Sequence, residues 1–163
     1  SGFGSKWSNP SSSLDSAAVS VNFSKTASYM TLSVGSAPFS VTYRYTTGYL
    51  TKYVDGGQIT SNAQDSTFSP VGASIALGIS ATPFVSVFAW NNPGYGSKYA
   101  DPSTLPTGIG RGVSFSNDGK DLAVSHFTTP FISTYAWSSG FGAKYANPST
   151  LPNSDCFSVT FTP

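Results

Sequence analysis

Glutamate is missing from this chain, and acids and bases together make up only 9% of it. Eight Lys and Arg stand against seven Asp, so the net charge of +1 gives no electrostatic pull toward nucleic acid or an anionic membrane. Cysteine is reduced to Cys156, which excludes an internal disulfide and leaves stability to packing. His126 is the only histidine, and with no cysteine pair beside it nothing completes a zinc site. Seven aspartates without glutamate leave little for paired-carboxylate hydrolysis. No apolar run approaches the ~18 residues a membrane helix needs. No basic stretch leads into an apolar one as in a signal peptide. The chain opens Ser-Gly-Phe-Gly, without Met and already inside a repeat phrase, as expected of a fragment or a processed product.

Aromatics are abundant at 15%, hydrophobic residues at 39% suffice for one core, and Ser, Thr, Gly and Pro fill most of the rest. Helix formers are too thinly spread for long helices, so the composition is that of a many-stranded β protein with tight turns. Its organisation is a repeat. Lys6, Lys52, Lys98 and Lys144 recur every 46 residues, each four positions after a glycine (Gly2, Gly48, Gly94, Gly140). A period of this size marks an array of one supersecondary unit. The units run 2–47, 48–93 and 94–139, with a partial fourth at 140–163, and together they form one repeat domain.

Each unit carries a short alternating run (Val21-Asn22-Phe23-Ser24, Ser66-Thr67-Phe68-Ser69, Val113-Ser114-Phe115-Ser116, Val159-Thr160-Phe161-Thr162), the pattern of a strand with one buried face. Phe23, Phe68, Phe115 and Phe161 are therefore expected in equivalent buried positions. Asn117-Asp118-Gly119-Lys120 reads as a hairpin turn. A second strand places Met30, Leu32 and Val34, then Ile75, Leu77 and Ile79, then Leu122, Val124 and His126 on one face. A Pro-Phe pair follows (Pro38-Phe39, Pro83-Phe84, Pro130-Phe131) and opens a third strand. The glycine–lysine phrase makes a fourth. Four strands per ~46 residues is the arithmetic of a β-propeller blade. The fold class expected is all-β: tandem four-stranded antiparallel units forming a partial propeller, or part of a ring completed by more chain or by other subunits. An orphan fourth strand at 2–8 and an orphan first strand at 157–161 flank three complete units. Both should be satisfied by another subunit or another stretch of chain.

Val-Ser-Phe-Ser-Asn-Asp-Gly-Lys-Asp-Leu-Ala-Val at 113–124 resembles the first two strands of WD-repeat and YVTN-type blades. The Asp of the Trp-Asp pair and the Gly-His are absent, so this is not a standard WD repeat. Gly-Phe-Gly-Ala-Lys-Tyr-Ala-Asn-Pro-Ser-Thr-Leu-Pro at 140–152 and Thr-Thr-Pro-Phe-Ile-Ser-Thr-Tyr-Ala-Trp at 128–137 look like a repeat of bacteriophage virion proteins. The resemblance is close in units three and four and degraded in units one and two. It implies a non-enzymatic virion structural or attachment module. Its partners would be other copies of itself or other virion proteins, its location the phage particle or otherwise the extracellular space, and it would carry no cofactor. The alternative is a lectin-like propeller recognising host-surface glycan.

Four groups of residues are candidates for contacts. Lys6, Lys52, Lys98 and Lys144 form either a cationic rim or the lysines by which edge strands resist association, and an even spacing suits the second use better. Arg44 and Arg111 depart from the repeat and could meet a partner. Tyr49, Tyr95 and Phe141 could form sugar platforms, as could Tyr43, Tyr45, Tyr53 and Tyr99, or all could be packing between units. Neither a catalytic constellation nor a metal or cofactor motif emerges: His126 reads as a buried, hydrogen-bonded residue, Cys156 as a small filler, and Asp55, Asp101, Asp118 and Asp121 as turn residues.

Overall fold

The alternating runs become strands. A computed structural model describes residues 5–6, 14, 16–26, 28–45, 49–54, 57–91 and 94–162, save the side chains at 45, 49 and 50. Among the described residues it contains twelve strands and no helix. They form three antiparallel four-stranded sheets, each a meander in chain order. Sheet 1 holds β1 (Ala18–Phe23), β2 (Tyr29–Val34), β3 (Ser40–Tyr45) and β4 (Tyr49–Val54). Sheet 2 holds β5 (Ala63–Phe68), β6 (Ser74–Ile79), β7 (Val85–Trp90) and β8 (Tyr95–Lys98). Sheet 3 holds β9 (Gly110–Phe115), β10 (Asp121–His126), β11 (Ile132–Trp137) and β12 (Phe141–Lys144).

Two turns set the register of every sheet. After each first strand a serine hydroxyl accepts the amide that opens the second: Ser24 from Tyr29, Ser69 from Ser74, each at 3.1 Å, and Ser116 from Asp121 at 2.9 Å. These serines are buried, and the local bond closes the hairpin before any long-range pairing. In sheet 3 the turn runs through Gly119 at φ 72°, a left-handed conformation that glycine adopts without a Cβ penalty. Between second and third strands, Ala81–Phe84 and Thr128–Phe131 fold as tight turns with a cis proline third in the turn, the Phe amide donating to the first carbonyl at 2.8 and 2.7 Å. The Pro-Phe pairs thus sit in the turn just before the third strand.

Period-two alternation then gives each sheet two faces. Phe68, Ile75 and Phe88 pair across one face of sheet 2, and Phe115, Leu122 and Tyr135 across the same face of sheet 3. The first group packs with Trp90 against Tyr29, Phe39 and Tyr53 of sheet 1. The second packs with Trp137 against Ala76, Val85, Val87 and Tyr99 of sheet 2. Two core clusters therefore lie between sheets, sheets 2 and 3 each lending one face to the sheet before it, and a third gathers Met30, Val34, Val41 and Tyr43 of sheet 1 with Leu14 and Leu32 packed against them. Sheets 2 and 3 approach closely because Gly78 and Gly110 have no side chains: a Cβ on Gly110 would meet the Phe84 carbonyl oxygen at 2.1 Å.

Two expectations need correction. Phe68 and Phe115 are buried, but Phe23 is 52% exposed and Phe161 is half-buried. Phe23 lies on the face of sheet 1 that has no sheet before it among the described residues. The 157–161 segment forms no strand, since no described strand pairs with it. It runs instead beside β9: a Cβ on Gly112 would meet Ser158 Cα at 2.8 Å, and Asn117 donates to the Thr162 carbonyl at 3.0 Å. The orphan strand near 2–8 falls, apart from Ser5 and Lys6, outside the described residues.

Candidate functional site

The first strands of the three sheets lie side by side, and one carboxylate joins them. Asp65 on β5 accepts bonds from Ser20 Oγ and Asn22 Nδ2 of β1 on one oxygen, and from the Val113 amide of β9 at 3.0 Å on the other. The corresponding positions in the other units are Ser20, Gly112 and Ser158, so this single charge is a departure from the repeat. Nearby, Arg111 reaches from β9 to Gln64 Oε1 on β5, and its guanidinium carbon stands 3.9 Å over the Phe127 ring. Phe127 meets Phe157 edge-on at 5.0 Å. Arg111 is thus engaged between elements, whereas Arg44 on β3 is exposed.

A second departure shapes the join between sheets 1 and 2. Tyr29 opens β2 where β6 has Ser74 and β10 has Asp121. Its ring meets Trp90 at 5.3 Å and 71° and lies 6.5 Å from Phe68. These rings floor a cleft of about 220 Å³ whose rim is Ser24, Lys25 and Thr26 on one turn and Pro70, Val71 and Gly72 on the next. Lys25 is the sole charged residue in that lining. The Trp90 indole nitrogen is buried without a hydrogen-bond partner.

Three of the four lysines stand on outermost strands, Lys52 on β4, Lys98 on β8 and Lys144 on β12. Lys98 pairs with Asp101, and Lys144 donates to Asn147 Oδ1 at 2.6 Å, each folding back three residues onto its own linker. Asn9 and Asp55 stand at the same offset from Lys6 and Lys52 in sequence, outside the described residues. Lys6 is exposed and Lys52 half-buried. The structure does not bring the four lysines to one point.

Tyr95 packs edge-on against Trp90 and Phe88 at 5.3 and 6.0 Å, and its hydroxyl lies 2.6 Å from Ser40 Oγ, so it braces sheet 2 on sheet 1. Phe141 packs edge-on against Tyr135 and Trp137 at 5.4 and 5.3 Å. Tyr49 opens β4, with its side chain outside the described residues. Tyr53 and Tyr99 wedge against the tryptophan of the next sheet, at 6.0 Å from Trp90 and 5.2 Å from Trp137.

His126 is fully buried. Its Nδ1 lies 2.7 Å from the Thr128 carbonyl, to which it donates, so Nε2 accepts from Ser133 Oγ at 3.1 Å. Burial lowers its pKa, the Lys144 charge adds to that, and the ring stays neutral. Burial likewise pushes the Tyr135 phenol up to about 12, and its hydroxyl donates to the Thr104 carbonyl at 2.9 Å. Hydrogen bonds from Ser116 and the Lys120 amide hold Asp118 below its ordinary value, as befits a turn acid. Cys156 is half-buried, its amide 3.4 Å from the His126 carbonyl. Among the described residues no group of three His, Cys, Asp or Glu gathers for a metal, and no helix is long and apolar enough to cross a membrane. Asp65 and Tyr29 escape a reading of the repeat, although Asp in place of Ser or Gly and Tyr in place of Ser or Asp were their visible signs.

No family model and no curated protein matches the sequence. Solved structures do: 508 chains resemble it, which marks a widely used architecture that names no single activity. One is Kuenenia stuttgartiensis hydrazine synthase, with a TM-score of 0.66 and 12% identity over 94% of this chain. This chain spans 42% of that one. Such a likeness carries the fold alone: an all-β chain of tandem four-stranded antiparallel sheets.

Proposed function

We propose that the chain is an arc of β-propeller blades serving as a non-enzymatic structural or attachment module of a bacteriophage particle, through contacts with other copies or other virion proteins. The observation that carries this reading is the apolar side of β1, at the margin of a face whose Met30, Val34, Val41 and Tyr43 are buried. Val19, Val21 and Phe23 are 56%, 52% and 52% exposed, whereas Phe68 and Phe115, the counterparts of Phe23, are 7% and 6% exposed beneath a neighbouring sheet. An apolar strip of this kind is the mark of an interaction surface. The sequence resemblance supplies the setting, with an extracellular location as the other course. Mass spectrometry of purified phage particles encoding the chain should find it in fixed stoichiometry. Particles that lack it would overturn the reading.

The cleft between sheets 1 and 2 favours a second reading, a lectin-like module for host-surface glycan. Three aromatic rings below hydroxyls and a lysine suit the apolar face and polar rim of a sugar ring. A glycan array separates the two: the lectin reading requires binding that Tyr29→Ser abolishes, and the scaffold reading requires none.

A further inference from the structure

We infer that the cleft between sheets 1 and 2 takes a single pyranose ring bearing an anionic substituent, a carboxylate or a sulfate, with Lys25 as its cation. This rests on the glycan-binding reading and names the sugar class. The chain's own second join shows what opens the cleft. The turns that begin at Ser24, Ser69 and Ser116 are equivalent, each closed by its serine hydroxyl. Between sheets 2 and 3 the later turn closes on the earlier one: a Cβ on Gly119 would touch Pro70 Cδ at 3.6 Å. Between sheets 1 and 2 a Cβ on Gly72, the counterpart of Gly119, would meet nothing within 4 Å among the described residues, and the cleft of about 220 Å³ opens there. Pockets for drug-sized ligands run to roughly 300–1,000 Å³, so this one suits a single ring. Its floor is a corner. Trp90 stands at 71° to Tyr29 and 83° to Phe68, so a ring packed on one face meets the edge of another.

The rim supplies the charge. No acidic residue is in the lining, and Lys25 is the one cation there. Lys98, Lys120 and Lys144 each meet an oxygen on their own turn or linker. Lys25 is exposed and meets none among the described residues, with the exposed Thr26 next to it. A neutral sugar would leave that charge unused, and an anion without a ring would leave the aromatic floor bare. A charged pyranose engages both.

The test titrates the whole isotope-labelled chain with methyl glucoside, methyl glucuronide and methyl glucoside 6-sulfate. The readout is the Trp90 indole N–H resonance, a group that has no hydrogen-bond partner, assigned through Trp90→Phe. At low ionic strength one or both charged glycosides should bind about fivefold more tightly than the neutral one, the modest gain expected at an exposed lysine. The preference should vanish at about 1 M salt and in Lys25→Gln, whose spectrum also shows that the fold is kept. Comparison of the glucuronide and sulfate arms tells carboxylate from sulfate. Equal affinity for neutral and charged glycosides, or a preference that survives Lys25→Gln, would overturn the inference and leave the glycan reading standing. If no glycoside moves the resonance the inference falls, and the glycan reading falls with it only if the glycan array is also silent.

Discussion

Asp65 is worth more than its place in an unremarkable strand suggests. Its carboxylate serves donors on two other first strands, so Asp65→Ala leaves the Val113 amide and the Asn22 side chain without that acceptor at the join of three sheets. The expected loss is about 2–3 kcal/mol, read as a fall in the urea midpoint at constant slope. A change within the ~0.5 kcal/mol of ordinary surface substitutions would show that the clasp contributes nothing. His126 acts through protonation. Its folded pKa is lowered by burial, while the unfolded chain titrates near 6.5. Below that value the unfolded state binds the extra proton, so stability is complete above about pH 6.5 and declines as pH falls through it. It is the chain's only histidine. Urea midpoints from pH 8 to pH 5 should therefore drop in the wild type and flatten in His126→Val, which restores the aliphatic residue of Val34 and Ile79. Parallel slopes in the two proteins would assign the pH dependence elsewhere.

The repeating element is a hairpin locked by a serine. Ser116 accepts from both the Lys120 and Asp121 amides and donates to Asp118, so Ser116→Ala should cost about 1–2 kcal/mol, more than the same change at Ser24, which accepts the Tyr29 amide and meets Thr26 Oγ1 at 3.4 Å. Equal losses at the two sites would mean that the extra bonds at Ser116 carry no weight. This level is also where the sequence is most legible. The alternating runs, the Phe-Ser junction and the Pro-Phe turns all fix local geometry, and local geometry is what period-two alternation and turn chemistry encode. The exposure of Phe23 was not legible, because covering it depends on what packs against β1 and not on the strand itself. Nor was the cleft. Tyr29, Phe68 and Trp90 converge only after sheets 1 and 2 meet, and spacing within a strand says nothing of that meeting. The Lys98–Asp101 and Lys144–Asn147 contacts lay in plain view as a three-residue spacing recurring in all four units, yet a lysine ladder draws the eye to the charges and away from their own linkers.

At the scale of the molecule, stability should behave as a row of sheets coupled to nearest neighbours, because two of the three apolar clusters join sheets 1 and 2 and sheets 2 and 3, the third belonging to sheet 1 alone. Sheet 2 contributes to both joins, and all six residues of β6 are buried. Amide exchange should therefore be slowest in β6 and fastest in β1, whose Val19, Val21 and Phe23 are each more than half exposed. Trp90 is the main tie between sheets 1 and 2, meeting Tyr29 and Tyr53 on one side and Phe68 and Tyr95 on its own. Trp90→Ala should cost about 3–5 kcal/mol at that join. The second join keeps its own tryptophan, Trp137, seated on Tyr99 and Phe115. Protection in β2 and β3 should then collapse by two orders of magnitude or more, since each 1.4 kcal/mol of local opening is a factor of ten, while β10 and β11 retain most of theirs. An even loss across all three sheets would mean that the chain unfolds as one cooperative block, and that the joins do not act as separable units.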